Sequence, residues 1–462
     1  MTDFCYQDIK ALTVALPEEI EKKKWFGDFE GAIHLIDLWL ERDIPRMLRA
    51  KLQLEREILQ VLPLEYIMNY EEALAALRRK VPDLTEAEFA DLKDHGKIDW
   101  IYVNGKERYL DDIVDTLLKV NPSIKERAAK LDPSIGQPDE EKKALLEVIR
   151  QVQRQKSVAY HFRIKAGVRI SDEAFHPGHV RVHIPVPCMC KQVQEMKILS
   201  ASNREYYLSD ENAPQRTICF EEDMTENHPF YVEYEYVNRV NYIEVDPQKV
   251  EPIVPSGFAD ELAEKLPHIQ FTPYMRSLAA KLTEGIRNPY LKAKSIYDYI
   301  TTHVEYSFVR NYLSIENLAE YAALGLKGDC GIQALMFITL CRISGIPARW
   351  QSGLYTTPLD AGMHDWAQFY IEPYGWLFAD CSFGGSAYRD GDEARRQFYF
   401  GNLDPFRMPA NSDFQEELIP PKKYLRADPY DNQRGEVEFE DKGLHFHEFK
   451  ASYEVLESHM ES

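Results

Sequence analysis

The sequence predicts an α+β protein: a helical N-terminal region, an all-β sandwich, and a core in which helices lead into an antiparallel sheet. Three observations predict it. Apolar residues recur at helical spacing in the first third of the chain, as at 32, 33, 35, 36, 39 and 40. The period then changes to two, as in His179-Val180-Arg181-Val182-His183-Ile184. From 328 to 380 one long apolar helix is followed by three strand-like runs. The expected partition is 1–155 helical, 156–250 β-sandwich, 251–410 core, and 411–462 C-terminal strands that return to the core or the sandwich.

In chain order, Trp25 to Leu62 reads as helix, with Pro45 at the first turn of a second helix. Glu71 to Lys80 is a further helix. Thr85-Glu86-Ala87-Glu88 is a capping box, and Asn104-Gly105 between Trp100 and Tyr109 marks a hairpin. Asp111 to Val120 and Glu140 to Val158 are helical. Strand runs follow at Tyr160–Ile164, His179–Val186, Gln192–Ser200, Arg204–Leu208, Arg216–Phe220 and Phe230–Tyr236. His161, His176, His179 and His183 read as solvated face residues, and Cys188 and Cys190 as ordinary strand residues. No metal or cofactor is expected. A Pro-rich stretch from Val250 to Pro273 reads as a linker, and helices at Tyr274–Thr283 and Pro289–Val304 lead into the core. Ser382 to Tyr388 reads as a Gly-rich loop. Gly435–Glu440 and Leu444–Phe449 read as two strands joined at Asp441-Lys442-Gly443, with Glu436, Glu438 and Glu440 solvated.

The composition narrows the function. The chain has 462 residues, 44% hydrophobic and 28% charged, which suits folded domains with sizeable cores. A net charge of −21 argues against nucleic acid or an anionic membrane as partner. The first eight residues show no signal-peptide pattern, and no run approaches the ~18 apolar residues of a membrane span. Seven thinly spread cysteines do not make a disulfide framework; a reducing, cytoplasmic setting is expected.

The chemistry concentrates between 328 and 380. Gly328-Asp329-Cys330-Gly331 opens the apolar helix, which Gly345 and Pro347 end. A helix N-terminus carries partial positive charge and free N–H groups, and both favour a thiolate. Trp350–Tyr355, Met363–Ile371 and Trp376–Ala379 read as strands, with His364 at the start of the second and Asp380 ending the third. A thiol needs a base, and the base needs an orienting acid. Cys330, His364 and Asp380 are those parts in that order, and the hairpin spacing lets His364 and Asp380 face each other.

Gly-x-Cys at Gly328/Cys330, Gly345-Ile346-Pro347-Ala348-Arg349, His364-x-Trp366 and Trp376-x-x-x-Asp380 together resemble the transglutaminase-like superfamily core over roughly residues 275 to 385. The resemblance implies a papain-like/transglutaminase-like core and thiol-dependent acyl transfer on a peptide or protein substrate, of the bacterial cysteine protease and acyltransferase kind. Two departures stand out. Asp380 is followed by Cys381 where many members have proline. Gly331 follows the cysteine where the cross-linking enzymes of animals have tryptophan. Hydrolysis of an amide through a Cys330 thioester is therefore expected. True protein cross-linking and a non-catalytic binding scaffold are the alternatives. The Cys330 backbone N–H is one oxyanion donor by position. Tyr306, Asn311 and Gln351 are the side-chain candidates, and Asp329 and Trp366 are placed beside the cleft.

Overall fold

Several N-terminal helices form where buried apolar residues follow a side-chain cap, as after Asp28 and Asn69. The computed structural model describes residues 6–136 and 140–461, so Cys5 lies outside the described residues. Helices run over Glu18–Phe26, Phe29–Leu40, Arg46–Glu65, Tyr70–Lys80 and Glu86–Asp94. Asn69 with Glu72, and Thr85 with Glu88, close full capping boxes. The Trp100–Val103 and Lys106–Tyr109 hairpin turns at Asn104 and Gly105, whose φ angles of 51° and 69° are those a two-residue turn requires. Helices Ile113–Val120, Pro122–Leu131 and Glu140–Gln155 follow.

The chain divides into two compact units, each discontinuous in sequence. The first comprises 1–138, 265–270 and 303–332; the second comprises 139–264, 271–302 and 333–462. In the first, the helices bury residues such as Ile36, Leu52, Leu77 and Phe89. Its later segment contributes the helix Leu318–Gly325 and a short parallel pairing of Glu305-Tyr306 with Lys327-Gly328. Glu65 accepts the backbone N–H of Asn311 with both oxygens, at 3.0 and 3.1 Å, and burial pushes its carboxyl up to about 7.

The second unit holds three antiparallel sheets. Two have four strands each. In one the order is Glu436–Phe439, Gly178–Pro185, Thr217–Met224, Tyr207-Leu208. In the other it is Phe449–Met460, Ser157–Ile170, Phe230–Asn241, Val193–Ala201. Phe220 of the first meets Phe230 of the second at 5.8 Å between ring centres, and alternate residues such as Val180, Val182, Phe162 and Ile164 are fully buried, as in a sandwich. The third sheet has five strands in the order Phe400-Gly401, Gly375–Ala379, Ala361–Ile371, Ala348–Thr356, Arg407–Asn411. At Gly353 an added Cβ would stand 1.9 Å from the Met408 carbonyl oxygen, so only glycine lets the last two strands close.

Four expectations need correction. The second tail strand is Phe449–Met460 rather than Leu444–Phe449, and each tail strand joins a different sheet. Glu436 and Glu438 are not solvated but 1% and 4% exposed, because the segment 411–430 folds over them. Glu436 is met there by Lys422 at 2.8 Å and by the backbone N–H groups of Ala427 and Asp428. His183 is wholly buried rather than solvated, with Nδ1 3.0 Å from Thr217 Oγ1; burial first, then the charge of Lys422, pulls its pKa far down. Cys188 and Cys190 lie between strands, not in one.

The same covering segment sets a pH response. Asp428 accepts the backbone N–H groups of Tyr430 and Asp431, yet burial and then the Asp431 charge push its carboxyl from 3.8 up to about 7. Between those values the unfolded chain gives up a proton that the folded chain keeps. Stability attributable to Asp428 therefore falls as pH rises through that window and levels off above it. Asp428→Asn keeps an acceptor and removes the titration. The drop in Tm between pH 5 and pH 8 is expected to shrink in the variant, and an unchanged drop would assign the response elsewhere.

Candidate active site

Cys330 is the first residue of the helix Cys330–Ile343 and is half-buried. Asp329 caps that helix: its Oδ1 accepts the Ile332 N–H at 3.1 Å and the Tyr312 hydroxyl at 2.5 Å. Its enclosed carboxyl is pushed up to about 6 by burial, against the pull of those donors. Beyond the first turn the helix is buried all round, including Gln333, Leu335, Met336, Phe337 and Thr339, so its position is fixed by packing rather than by one apolar stripe.

His364 is the fourth residue of Ala361–Ile371 and is 4% exposed. The ladder pairs Ala367 with Ala379, so Asp380 lies just past the end of its strand, diagonal to His364 rather than opposite it. The side chains still meet: His364 Nε2 is 2.7 Å from Asp380 Oδ2. A carboxylate accepts only, so the proton sits on Nε2 and Nδ1 carries the lone pair.

Asp380 is completely buried and fully engaged. Oδ2 also accepts from Arg407 Nη2 at 3.0 Å. Oδ1 accepts from the Phe383 N–H at 3.0 Å and the Ser382 hydroxyl at 3.2 Å, which makes Asp380 the N-cap of a helix, Cys381–Arg389. Gly384 and Gly385 make the sequence predict a loop here, where the structure has a helix. Gly384 is there for contact: an added Cβ would fall 2.0 Å from the Tyr297 hydroxyl of Pro289–His303. Burial alone would raise the Asp380 pKa, but His364 and Arg407 outweigh it and hold the carboxyl below its ordinary value.

Arg407 is also buried, with the carboxylates of Asp380 and Asp404 each 3.0 Å from Nη2. Its guanidinium lies 4.4 Å from the Phe383 ring centre and 4.9 Å from that of Tyr355. His364 sits among the same rings, 4.7 Å from Phe383 and 5.9 Å from Trp366. Burial pulls the His364 pKa below 6.5, and Asp380 only partly restores it. Gln433 ties this strand down, donating to the His364 carbonyl at 2.9 Å and to Asp365 at 2.6 Å.

The remaining sequence-derived residues divide between the units. Trp366 Nε1 donates to Gln351 Oε1 at 2.8 Å, and the same oxygen takes Gln192 at 2.6 Å, so Gln351 anchors Trp366. In the first unit Tyr306 pairs with Gly328 and lies beneath Lys119, 4.3 Å from the ring centre. The Asn311 side chain accepts the Leu313 N–H at 2.9 Å and caps its own turn. Arg407, Asp404, Ser382 and Gln433 were missed. No periodicity or spacing marks a residue that acts by charge on a partner far along the chain.

Residues 276–381 match the model of the transglutaminase-like superfamily. No curated protein matches the chain. Among solved structures it is similar to a candidate cysteine protease from Cytophaga hutchinsonii, at 16% identity over 66% of this chain and 90% of that one, with a TM-score of 0.41. It is also similar to the periplasmic domain of TgpA from Pseudomonas aeruginosa, at 13% identity over 54% and 95%, with a TM-score of 0.28. Among the described residues no helix is long and apolar enough to cross a membrane. The segment 276–381 that matches the transglutaminase-like superfamily model carries Cys330, His364 and Asp380 in that order, and this supports cysteine-based catalysis.

Proposed function

We propose that the protein hydrolyses amide bonds of a peptide or protein through a thioester on Cys330, with His364 as base and Asp380 as its orienting acid. The observation that carries this reading is the Asp380 carboxylate, buried, with four donors on its two oxygens and His364 held in one tautomer. That is the support a general base requires.

In the proposed reaction Nδ1 of His364 holds the Cys330 proton in a thiolate–imidazolium pair, and the thiolate sulfur attacks the amide carbonyl. The Cys330 backbone N–H, at the helix start, donates to the oxyanion. The C–N bond breaks, and His364 returns the proton to the departing amine. Water, deprotonated by His364, then attacks the thioester, releasing the acid and restoring the thiol. Gly331 after the nucleophile supports water over an amine as acceptor. Cys188, Cys190, Cys219, Cys341 and Cys381 are thiols rather than disulfide halves, which supports a cytoplasmic setting.

The test is the rate of Cys330 alkylation by iodoacetamide against pH, in wild type and His364→Ala, read by peptide mapping. Mapping separates Cys330 from Cys190, whose thiol pKa is raised by burial but brought below its ordinary value by hydrogen bonds, led by that with Cys188. A wild-type midpoint well below ~8.5 that returns to that value in the variant is expected. A midpoint near ~8.5 in both proteins would overturn the triad and leave a binding scaffold.

A further inference from the structure

We propose that His161, Glu457 and His459 form a site for a divalent transition metal of the zinc class, on the outer face of the four-stranded sheet edged by Phe449–Met460. The ligands come from two neighbouring strands. His459 stands directly opposite His161 in the ladder, and their rings stack at 4.8 Å. One potential ligand atom from each of the three residues lies within 4.8 Å of the other two. His459 Nδ1 is 3.4 Å from Glu457 Oε1. Two imidazoles and a carboxylate are a donor set for zinc, cobalt, nickel or copper, and not for magnesium or calcium, which prefer oxygen.

Two observations set this cluster apart from a chance meeting of surface side chains. The first is register. Pairing runs Val455 to Ile164 and then Glu457 to Arg163, so Leu456 is an extra, bulged residue. Before the bulge the exposed residues are Lys450, Ser452 and Glu454; after it they are Glu457, His459 and Met460, and the less exposed Ser458 pairs with buried Phe162. In an unbroken ladder Glu457 would pair with Phe162, whose side chain is wholly buried. The bulge gives up regular pairing and re-aims two ligands to the face of His161.

The second observation is His161 itself. Its Nδ1 is buried and has no hydrogen-bond partner among the described residues, a cost that native structures seldom leave unmet. An ion bound at that nitrogen supplies the missing partner. Nε2 then faces Glu235, whose Oε2 is 3.7 Å away, in the manner of a carboxylate that orients a ligating imidazole. Arg163, opposite Glu457, is already held by Glu233. The site is independent of Cys330, His364 and Asp380. Sequence reading set His161 aside because its partners lie on a strand that it did not place.

The test uses the full-length protein after EDTA treatment. Zinc chloride is titrated by calorimetry, and cobalt chloride by visible absorption, which reports the ligand field. One saturable site is expected, weakened at least tenfold in His459→Gln and in Glu457→Gln and unchanged in Cys330→Ala. Zinc is expected to raise the Tm of wild type and not of the two site variants. No saturable uptake by wild type overturns the proposal. So does uptake that survives both site substitutions, or uptake that disappears in Cys330→Ala.

Discussion

Asp380→Asn is expected to lower amide hydrolysis by on the order of 10³–10⁴-fold, the scale on which an orienting carboxylate contributes to such a triad. The reason is local. An asparagine whose oxygen keeps the Phe383 N–H turns its NH₂ toward His364 Nε2 and Arg407, both donors in the wild type. His364 must then present a lone pair on Nε2 and carry its proton on Nδ1, so the base is lost in that tautomer. ¹⁵N NMR of the imidazole checks the proton's position, and turnover of a peptide-amide library checks the rate. A loss under tenfold, or Nε2 still protonated with activity gone, would remove Asp380 from the orienting role.

Replacing Arg407 by methionine carries the largest expected loss of stability, about 3–5 kcal/mol, the range for removing one partner of a buried ion pair. Two carboxylates, Asp380 and Asp404, lose their shared cation, and both are wholly enclosed. The Asp404 carboxylate would keep the Tyr399 hydroxyl at 3.0 Å, which softens the loss on that side. Urea unfolding measures the change, and a shift under about 1 kcal/mol would show the pair to be dispensable. A second readout separates position from stability. Arg407 opposes the charging of His364, so without it the imidazole pKa rises. The acid limb of the pH–rate profile is then expected to move to higher pH in Arg407→Met, and not in Arg407→Lys.

The sequence singles out Cys330, His364 and Asp380 as candidates because each lies at a marked boundary. Cys330 stands between Gly328 and Gly331 at a helix start, His364 lies at the start of a strand-like run, and Asp380 ends another. The Cys381–Arg389 helix was not legible because Gly384 and Gly385 lower its propensity; the Asp380 cap and the contact with Tyr297 override that. Alternation along Gly178–Pro185 and Glu436–Phe439 assigns one face to water. That inference fails for His183, Glu436 and Glu438 because the irregular segment 411–430 covers the outer face. Arg407 illustrates the same limit: an ion pair between residues 380 and 407 leaves no period in the sequence.

The order of strands in the two four-stranded sheets has a consequence for biosynthesis. Both outermost strands on one side, Glu436–Phe439 and Phe449–Met460, leave the ribosome long after the strands they pair with, Gly178–Pro185 and Ser157–Ile170. Until they arrive, Gly178–Pro185 and Ser157–Ile170 are open edges, able to pair with another nascent chain. A chain cut short before Glu436 would keep Cys330, His364 and Asp380 and yet carry two unprotected edges. Such a fragment is a substrate for chaperones and aggregation rather than a smaller working enzyme.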